Sequence, residues 1–467
     1  MEEIAIPNFD VIVAGAGSAG SMTAYALAKK GLTVALVDRK NEDLIGKKVC
    51  GDAIAGFHFK EVQKMGLPFP YPTGDEHRQT VEGIDIYSPD LETRLELVPD
   101  TIVPGETGFL IDRHLFGQRI KNYAVDSGAT LVASSKVNGF ITEGETITGI
   151  RFTEKKASSS KELYGKVIVD ATGANAALRK RVPERYNRFI EKEIAPIDMA
   201  YAYREIREIN VEVEFPQRLR IIFDAEWIPS GYIWIFPRND GTVNAGLGGS
   251  MDRTRNLKAI WQRYMESNPI FDGSRLIHAG SGKVPTRRPL NSMVADNFAL
   301  VGDAAAQVNP LHAGGLGINI EAGVMLGNSI ADALEAGDTS VKGLWSYNTD
   351  YMRTTGASHA PLDLFRLLIA SMDNNAINKI MMKEIVSQDD IFQMASPEGL
   401  QIGFGGKMKK LFKAAGVFRP TLALAKTANL MQKIKQVYQE YPGSDELSSW
   451  IKRVEKIYSK SVRPSSS

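Results

Sequence analysis

The sequence predicts an α/β fold, and three stretches carry that reading. FDVIVAGAGSAGSMTAYALAKKGLTVALVDRK, residues 9–40, runs as strand, glycine turn, helix and second strand. GYIWIFPRNDGTVNAGLGG, residues 231–249, runs as strand, tight turn and returning strand, the pattern of an antiparallel sheet. Beyond about residue 330 the apolar positions recur at helical spacing. The expected architecture is a parallel-sheet domain, an antiparallel-sheet second domain and a helical C-terminal region.

The first stretch sets the chemistry. Val11 to Val13 is a β-branched run suited to a buried parallel strand. Gly15, Gly17 and Gly20 form G-x-G-x-x-G. Gly15 permits a sharp turn, Gly17 lets backbone approach a pyrophosphate, and Gly20 lets helix and strand pack closely. The helix N-terminus offers unpaired N–H groups to phosphate. Thr33 to Val37 is the second strand, and Asp38 at its end can accept hydrogen bonds from a ribose diol, with Arg39 beside it. This is a Rossmann-like dinucleotide frame.

Whole-chain properties narrow the function classes. A chain of 467 residues with 43% hydrophobic content can bury two or three lobes. A net charge of +1 gives no support for general nucleic-acid binding. The lone cysteine, Cys50, excludes an internal disulfide and any cysteine-cluster metal or iron–sulfur site, and no HExxH is present, so no metal site is expected. The acidic start, MEEIAIPNFD, is unlike a signal peptide, and no apolar run of about 18 residues marks a spanning helix. The expected location is cytoplasmic.

Two later segments choose between dinucleotides. LYGKVIVDATG brings a strand, Val167 to Val169, to Asp170 and Gly173, and NFALVGD brings another, Phe298 to Val301, to Gly302-Asp303. Both imply a sheet revisited by one large cofactor. Gly302-Asp303, with Asp112-Arg113 in GFLIDRHLFGQRI, resembles the FAD-dependent aromatic-hydroxylase type of fold. That resemblance implies FAD, with Asp303 at the ribityl chain and Gly315 and Leu316 in the loop past the flavin ring. It also assigns Arg113, Val137, Asp170 and Gly173 to the cofactor.

The aromatic strand extends the resemblance. Tyr232, Trp234 and Phe236 alternate with Ile233 and Ile235, so both strand faces are expected to be covered. Such a strand is ordinary core or an apolar ligand wall. Pro229-x-x-Tyr232-x-Trp234-x-Phe236-Pro237 and KVCGDAI (residues 48–54) are similar to motifs of the geranylgeranyl reductase family. With the FAD motifs they span roughly residues 8–330. The family implies FAD-dependent saturation of isoprenoid C=C bonds in membrane-lipid precursors, with Tyr232, Trp234 and Phe236 lining the tunnel. Asp38 replaces the usual glutamate, and Leu316 in HAGGLGI interrupts the usual glycine run, which puts the particular lipid in doubt.

Saturating an isolated alkene needs a hydride at one carbon and a proton at the other. The family implies that Cys50, Gly51 and Ala53 lie at the flavin. Cys50 is the first candidate to influence proton delivery, because a thiol titrates near pH 8.5. His58 is the second, and Asp52 is placed to orient either. A lone cysteine is equally read as a small buried apolar residue, and His58 as a packing residue. Tyr232 and His312 are weaker acid candidates.

The expected domains are a discontinuous FAD-binding part (1–85, 105–180, 285–335), a substrate part (86–104, 181–284), a helical part (336–460) and a tail (461–467). Arg287 and Arg288 are read as meeting a lipid phosphate or solvent. Lys407, Lys409, Lys410, Lys413, Arg419, Lys426, Lys433 and Lys435 form an acid-free stretch with Leu411, Phe412, Val417 and Phe418 interleaved. It is read as a peripheral contact with the cytoplasmic membrane face, or as a solvated basic helix face. With no second dinucleotide fingerprint, the electron donor is NAD(P)H or a small redox protein. The alternatives are an FAD monooxygenase or halogenase on the same fold, and a non-catalytic flavin-bearing lipid-binding protein.

Overall fold

The computed structural model describes residues 8–99, 107–155, 159–250, 255–386 and 418–462. The chain opens with β1 (Asn8–Ala14), α1 (Ser18–Lys29) and β2 (Val34–Val37). β1 and β2 are parallel, with Val11 opposite Val34 and Ala14 opposite Val37. Val11 to Ala14 and all of β2 are buried, which is why both read as apolar runs and not as alternation.

β3 (Ala53–Ala55) and α2 (Phe57–Lys64) follow, then β4 (His77–Val81), β5 (Gly83–Tyr87), β6 (Arg94–Leu97) and β7 (Gly108–Ile111). Asp112 caps α3 (Arg113–Asp126) by accepting from the N–H groups of His114 and Leu115. β8 (Thr130–Val132), β9 (Ser135–Glu143), β10 (Thr146–Glu154) and β11 (Ser160–Asp170) complete the N-terminal half. The second half brings β12 (Met199–Glu208), β13 (Arg218–Ile222), β14 (Gly231–Pro237), β15 (Thr242–Ser250), α4 (Leu257–Glu266) and β16 (Arg275–Pro285). It then gives β17 (Val294–Ala295), β18 (Phe298–Leu300) and α5 (Leu316–Glu335). The described helices beyond are α6 (Trp345–Tyr351), α7 (Ala357–Ile369), α8 (Asn374–Met382), α9 (Phe418–Gln439) and α10 (Leu447–Tyr458).

The first sheet runs β17-β18-β11-β1-β2-β8, with β9 and β10 continuing as a meander from β11. β1, β11 and β18 are parallel, and Ala14, Asp170 and Leu300 share one register. The turns after these strands therefore emerge side by side, at the carboxyl edge where open α/β sheets bind ligands. The second sheet runs β16-β12-β15-β14-β13-β5-β6. It is antiparallel except that β5 joins β13 in parallel, so the expected antiparallel sheet holds one parallel pair. A third sheet, β3-β7-β4, was not expected from the sequence.

Helix α1 is buried because α5 crosses it closely. A Cβ on Gly323 would stand 2.5 Å from the carbonyl of Ala19, and one on Gly327 2.6 Å from the Ala26 methyl. Ile233 and Ile235 pack with Trp261 and Tyr264 of α4. Trp234 and Phe236 on the opposite face join Leu110 and Leu219. A π-helical turn, Met352–Gly356, joins α6 to α7, and α9 packs along α7.

Arg287 and Arg288 correct the sequence reading. Arg287 pairs with Glu191 at 3.2 Å. Arg288 donates to Asn291 Oδ1 at 2.7 Å and to the Tyr438 hydroxyl at 3.3 Å, and lies over the Tyr458 ring. Arg287 is spent on Glu191, and Arg288 fastens α9 and α10 through Tyr438 and Tyr458. The lysines from Lys407 to Lys413 lie outside the described residues, as do Leu411, Phe412 and Val417 and the side chains of Phe418 and Arg419. Lys426 and Lys433 are exposed on α9. No described helix is long and apolar enough to cross a membrane.

Candidate active site

A cavity of about 770 Å³ connects the carboxyl edge of the first sheet to the inner face of the second. Gly15, Gly17, Asp38, Arg39, Val137 and Gly173 line its first end. Asp38 Oδ2 accepts from Ala16 N and Oδ1 from Lys40 N, both at 2.8 Å, so the carboxylate joins the glycine turn to the chain after β2.

The residues here fit a dinucleotide. A Cβ on Gly17 would meet nothing within 4 Å, so this turn presents open backbone to the cavity. Gly17 itself has an ordinary φ of −76°. The Arg113 guanidinium is buried and lines the cavity, donating through Nη2 to Ser18 Oγ at 2.7 Å while Nη1 has no partner among the described residues. An unpaired buried N–H on a cation beside an open glycine turn suits a phosphate or a polar cofactor chain.

Farther along, Asp303 faces Lys48 Nζ at 2.9 Å and accepts from Asn319 Nδ2 at 2.9 Å. Burial works to raise its carboxyl. Lys48, Asn319 and Arg113 outweigh burial and hold it below the usual carboxylate range. Gly315 and Leu316 line the cavity beside it.

The Cys50 turn forms one wall, with Cys50 and Gly51 in the lining. Burial first, and the Asp52 carboxylate second, push the Cys50 thiol up. Across from it stand Tyr232, Trp234 and Phe236. A Cβ on Gly51 would lie 3.1 Å from Phe236 Cε2, so the turn and the aromatic wall are in near contact. Tyr232 donates through its hydroxyl to the His312 carbonyl at 2.6 Å, and burial raises its phenol above the ordinary range.

Several sequence-predicted residues lie elsewhere. His58 is outside the lining, because β3 and the start of α2 carry it behind α5. Its Nδ1 lies 2.6 Å from Glu321 Oε1, and a Cβ on Gly317 would collide with its ring. Asp52 is buried away from the cavity and pairs with Arg238 at 2.7 Å. Ala53 belongs to β3 and is also off the lining. Asp170 is fully buried, accepting from the backbone N–H groups of Thr172, Leu178 and Arg179, and so shapes the loop that presents Gly173. Gly302, at φ +73°, packs against Ala19 and does not reach the cavity. Gly20 packs helix on strand, since a Cβ there would stand 1.9 Å from the Gly15 carbonyl.

Sequence reasoning missed Lys48, Ser18, Asn319 and Asn244. Lys48 sits inside KVCGDAI and had no visible partner. Asn244 left a faint signal, one amide between Val243 and Ala245 in a strand of apolar and small residues.

A family model described as geranylgeranyl reductase catalytic domain matches residues 198–284. A second, described as glucose inhibited division protein A, matches residues 10–66. The digeranylgeranylglycerophospholipid reductase of Sulfolobus acidocaldarius is 34% identical over 456 residues, covering 96% of this chain and 97% of that protein. The protein of the same name from Methanothrix thermoacetophila is 27% identical over 389 residues, covering 82% and 93%. Among solved structures, a geranylgeranyl bacteriochlorophyll reductase-like protein of Thermoplasma acidophilum shares the fold. Its TM-score is 0.74 and its identity 22%, over 90% of this chain and 99% of that one. The myxobacterial chondrochloren halogenase shares it more distantly, with TM-score 0.64 and 16% identity over 89% and 99%. Identity to the Sulfolobus enzyme extends over nearly the whole of both chains, and on that ground this chain belongs to the digeranylgeranylglycerophospholipid reductase family.

Proposed function

We propose that the protein is an FAD-dependent reductase that saturates C=C bonds of geranylgeranyl chains in membrane-lipid precursors. One observation carries the reading. A single cavity runs from an open dinucleotide turn, past the chain's one thiol, to an aromatic strand within the matched catalytic region.

In this reading Gly15, Gly17, Asp38 and Arg39 hold the ADP half of FAD. Arg113, Asp303, Gly315 and Leu316 hold the remainder, with Lys48 and Asn319 fixing the Asp303 carboxylate. Bound FAD, once reduced by the electron donor, would supply the hydride. The protein's share is to position the alkene, exclude bulk water and control one proton. Tyr232, Trp234 and Phe236 offer rigid apolar surface for the prenyl chain. Cys50 holds the proton at Sγ, since its raised thiol stays protonated at neutral pH. His58 and Asp52 act from behind the wall and take no direct part. The discontinuous part at 1–85, 105–180 and 285–335 carries the cofactor, and 86–104 with 181–284 covers the substrate. The electron donor is NAD(P)H or a small redox protein, and the basic stretch that includes exposed Lys426 and Lys433 rests on an anionic membrane face.

Anaerobic turnover tests the reading. The purified flavoprotein is reduced without oxygen and mixed with a geranylgeranyl lipid. Flavin reoxidation with a gain of two hydrogens per bond supports the reductase. Oxygen or halogen incorporated into the lipid once oxygen is admitted assigns a monooxygenase or halogenase, and an unchanged lipid assigns a lipid carrier.

A further inference from the structure

Asn244 is a fully buried amide in the middle of β15. Burying an amide is unfavourable unless its polar atoms find partners. Here they do. The indole Nε1 of Trp234 donates to Asn244 Oδ1 at 3.1 Å. Asn244 Nδ2 donates to the Cys50 carbonyl at 2.9 Å and to Asp52 Oδ2 at 2.7 Å. The amide orientation is forced, since an indole only donates while a carbonyl and a carboxylate accept.

The turn held in this way is not a relaxed one. Asp52 has φ +65°, a left-handed conformation that non-glycine residues adopt only under constraint. Arg238 and Asn244 converge on the same carboxylate oxygen to maintain it. The Asp52 backbone N–H in turn donates to Cys50 Sγ at 3.3 Å. The thiol direction follows from the turn, which Arg238 and Asn244 hold together, Asn244 alone also binding the Cys50 carbonyl.

We propose that Asn244 is a positioning residue, fixing the Cys50 thiol and the Trp234 ring in one arrangement on the two sides of the cavity. The inference rests on the proposed function in one respect, that Cys50 and Trp234 face the reacting groups. An amide suits the post because it gives two donors and one acceptor without adding charge. Aspartate has the same shape but would set a second carboxylate against Asp52.

Cys50 is the chain's only cysteine, so its alkylation reports this geometry without any turnover. The flavoprotein as purified is treated with iodoacetamide across a pH series, and adduct formation is followed by intact mass. Asn244→Ala is expected to retain FAD, to raise the alkylation rate about tenfold and to move its pH midpoint. In turnover it should lower kcat by about tenfold with KM changed less than about threefold. Trp234→Phe keeps a ring and removes the indole N–H, and it is expected to change Cys50 alkylation about threefold in the same direction. A pH–alkylation profile in folded Asn244→Ala that superimposes on wild type overturns the proposal. Where Asn244→Ala does not fold, an unchanged profile in Trp234→Phe overturns it. Altered alkylation in a protein that never reduces a prenyl bond would retain the Asn244 linkage and defeat the proposed function instead.

Discussion

The ammonium of Lys48 lies 2.9 Å from the Asp303 carboxylate, although 255 positions separate them in the chain. The contact ties the Cys50 loop to the turn after β18. Asp303 is almost wholly enclosed while Lys48 is half exposed. The loop therefore brings a solvent-reaching cation to a carboxylate that needs one.

Lys48→Met is expected to destabilise the protein by about 1–2 kcal/mol at pH 7, less than for a fully buried pair because Lys48 reaches water. The sign with pH is fixed. The folded Asp303 carboxyl lies below its ordinary value, so the pair's contribution is present above about pH 4 and is lost as pH falls through the folded value. Urea midpoints of wild type and Lys48→Met should differ at pH 7 and converge toward pH 3. A constant difference across that range would show that Asp303 is not the partner that matters.

Gly17 and Gly20 separate folding from cofactor binding. Ala at position 20 would place its Cβ 1.9 Å from the Gly15 carbonyl and 2.8 Å from the Ala171 methyl. Backbone cannot yield that distance, so Gly20→Ala should fail to accumulate as folded protein. Gly17→Ala meets nothing within 4 Å at an ordinary φ of −76°. Its stability should stay within about 0.5 kcal/mol of wild type. Its FAD retention should nevertheless fall about tenfold or more, because the methyl occupies the space a pyrophosphate approaches. Circular dichroism and bound-flavin absorbance check the two outcomes separately.

Legibility in the sequence followed the range of the interactions. The β1–α1–β2 unit and the β14–β15 hairpin were readable because strand runs, glycine spacing and turn residues are local. The third sheet was not, because β3, β4 and β7 are short and acquire their character only by pairing across the chain. His58 shows the same limit from the other side. Eight positions from Cys50, it reads as a neighbour, yet a strand and a helix start turn it toward Glu321. Lys48 and Asn244 carry no motif of their own. Each is defined by a partner far away in sequence, Asp303 in one case and the Cys50 carbonyl in the other. Arg287 and Arg288 were open to a lipid phosphate or to solvent for the same reason, since Glu191 and Tyr438 cannot be seen from TRRPL.

His359 should dominate part of the acid sensitivity. It is buried in α7, its Nδ1 has no hydrogen-bond partner among the described residues, and burial pushes its imidazole down to about 3. In the unfolded chain it takes its proton near pH 6.5. The unfolded state thus binds the proton first, and stability that is full above about pH 6.5 falls steadily as pH drops toward the folded value. By pH 5 the loss from this one group is about 2 kcal/mol. His312, whose imidazole burial pushes down to about 4, titrates across the same window, so His359→Leu should reduce the dependence of the unfolding midpoint between pH 6.5 and pH 5 by about half. An equal slope in the variant would assign the acid sensitivity to other groups.

Gly51 and Phe236 should behave as a coupled pair across the cavity. A Cβ at position 51 would stand 3.1 Å from Phe236 Cε2 and 3.6 Å from Cδ2. The neighbour is a side chain rather than backbone, so Gly51→Ala should fold, displacing the ring by a few tenths of an ångström and reshaping the cavity wall. Prenyl reduction is expected to slow about threefold to tenfold, mainly through KM, with FAD content unchanged. Phe236→Leu alone removes part of the apolar wall and should also slow turnover. Combined with Gly51→Ala, the smaller leucine leaves room for the new methyl. The double variant should then be faster than the product of the two single effects predicts, by a coupling of about 0.5–1 kcal/mol. Simple multiplication of the single effects would mean that the Cys50 turn and the aromatic strand do not meet across the working cavity.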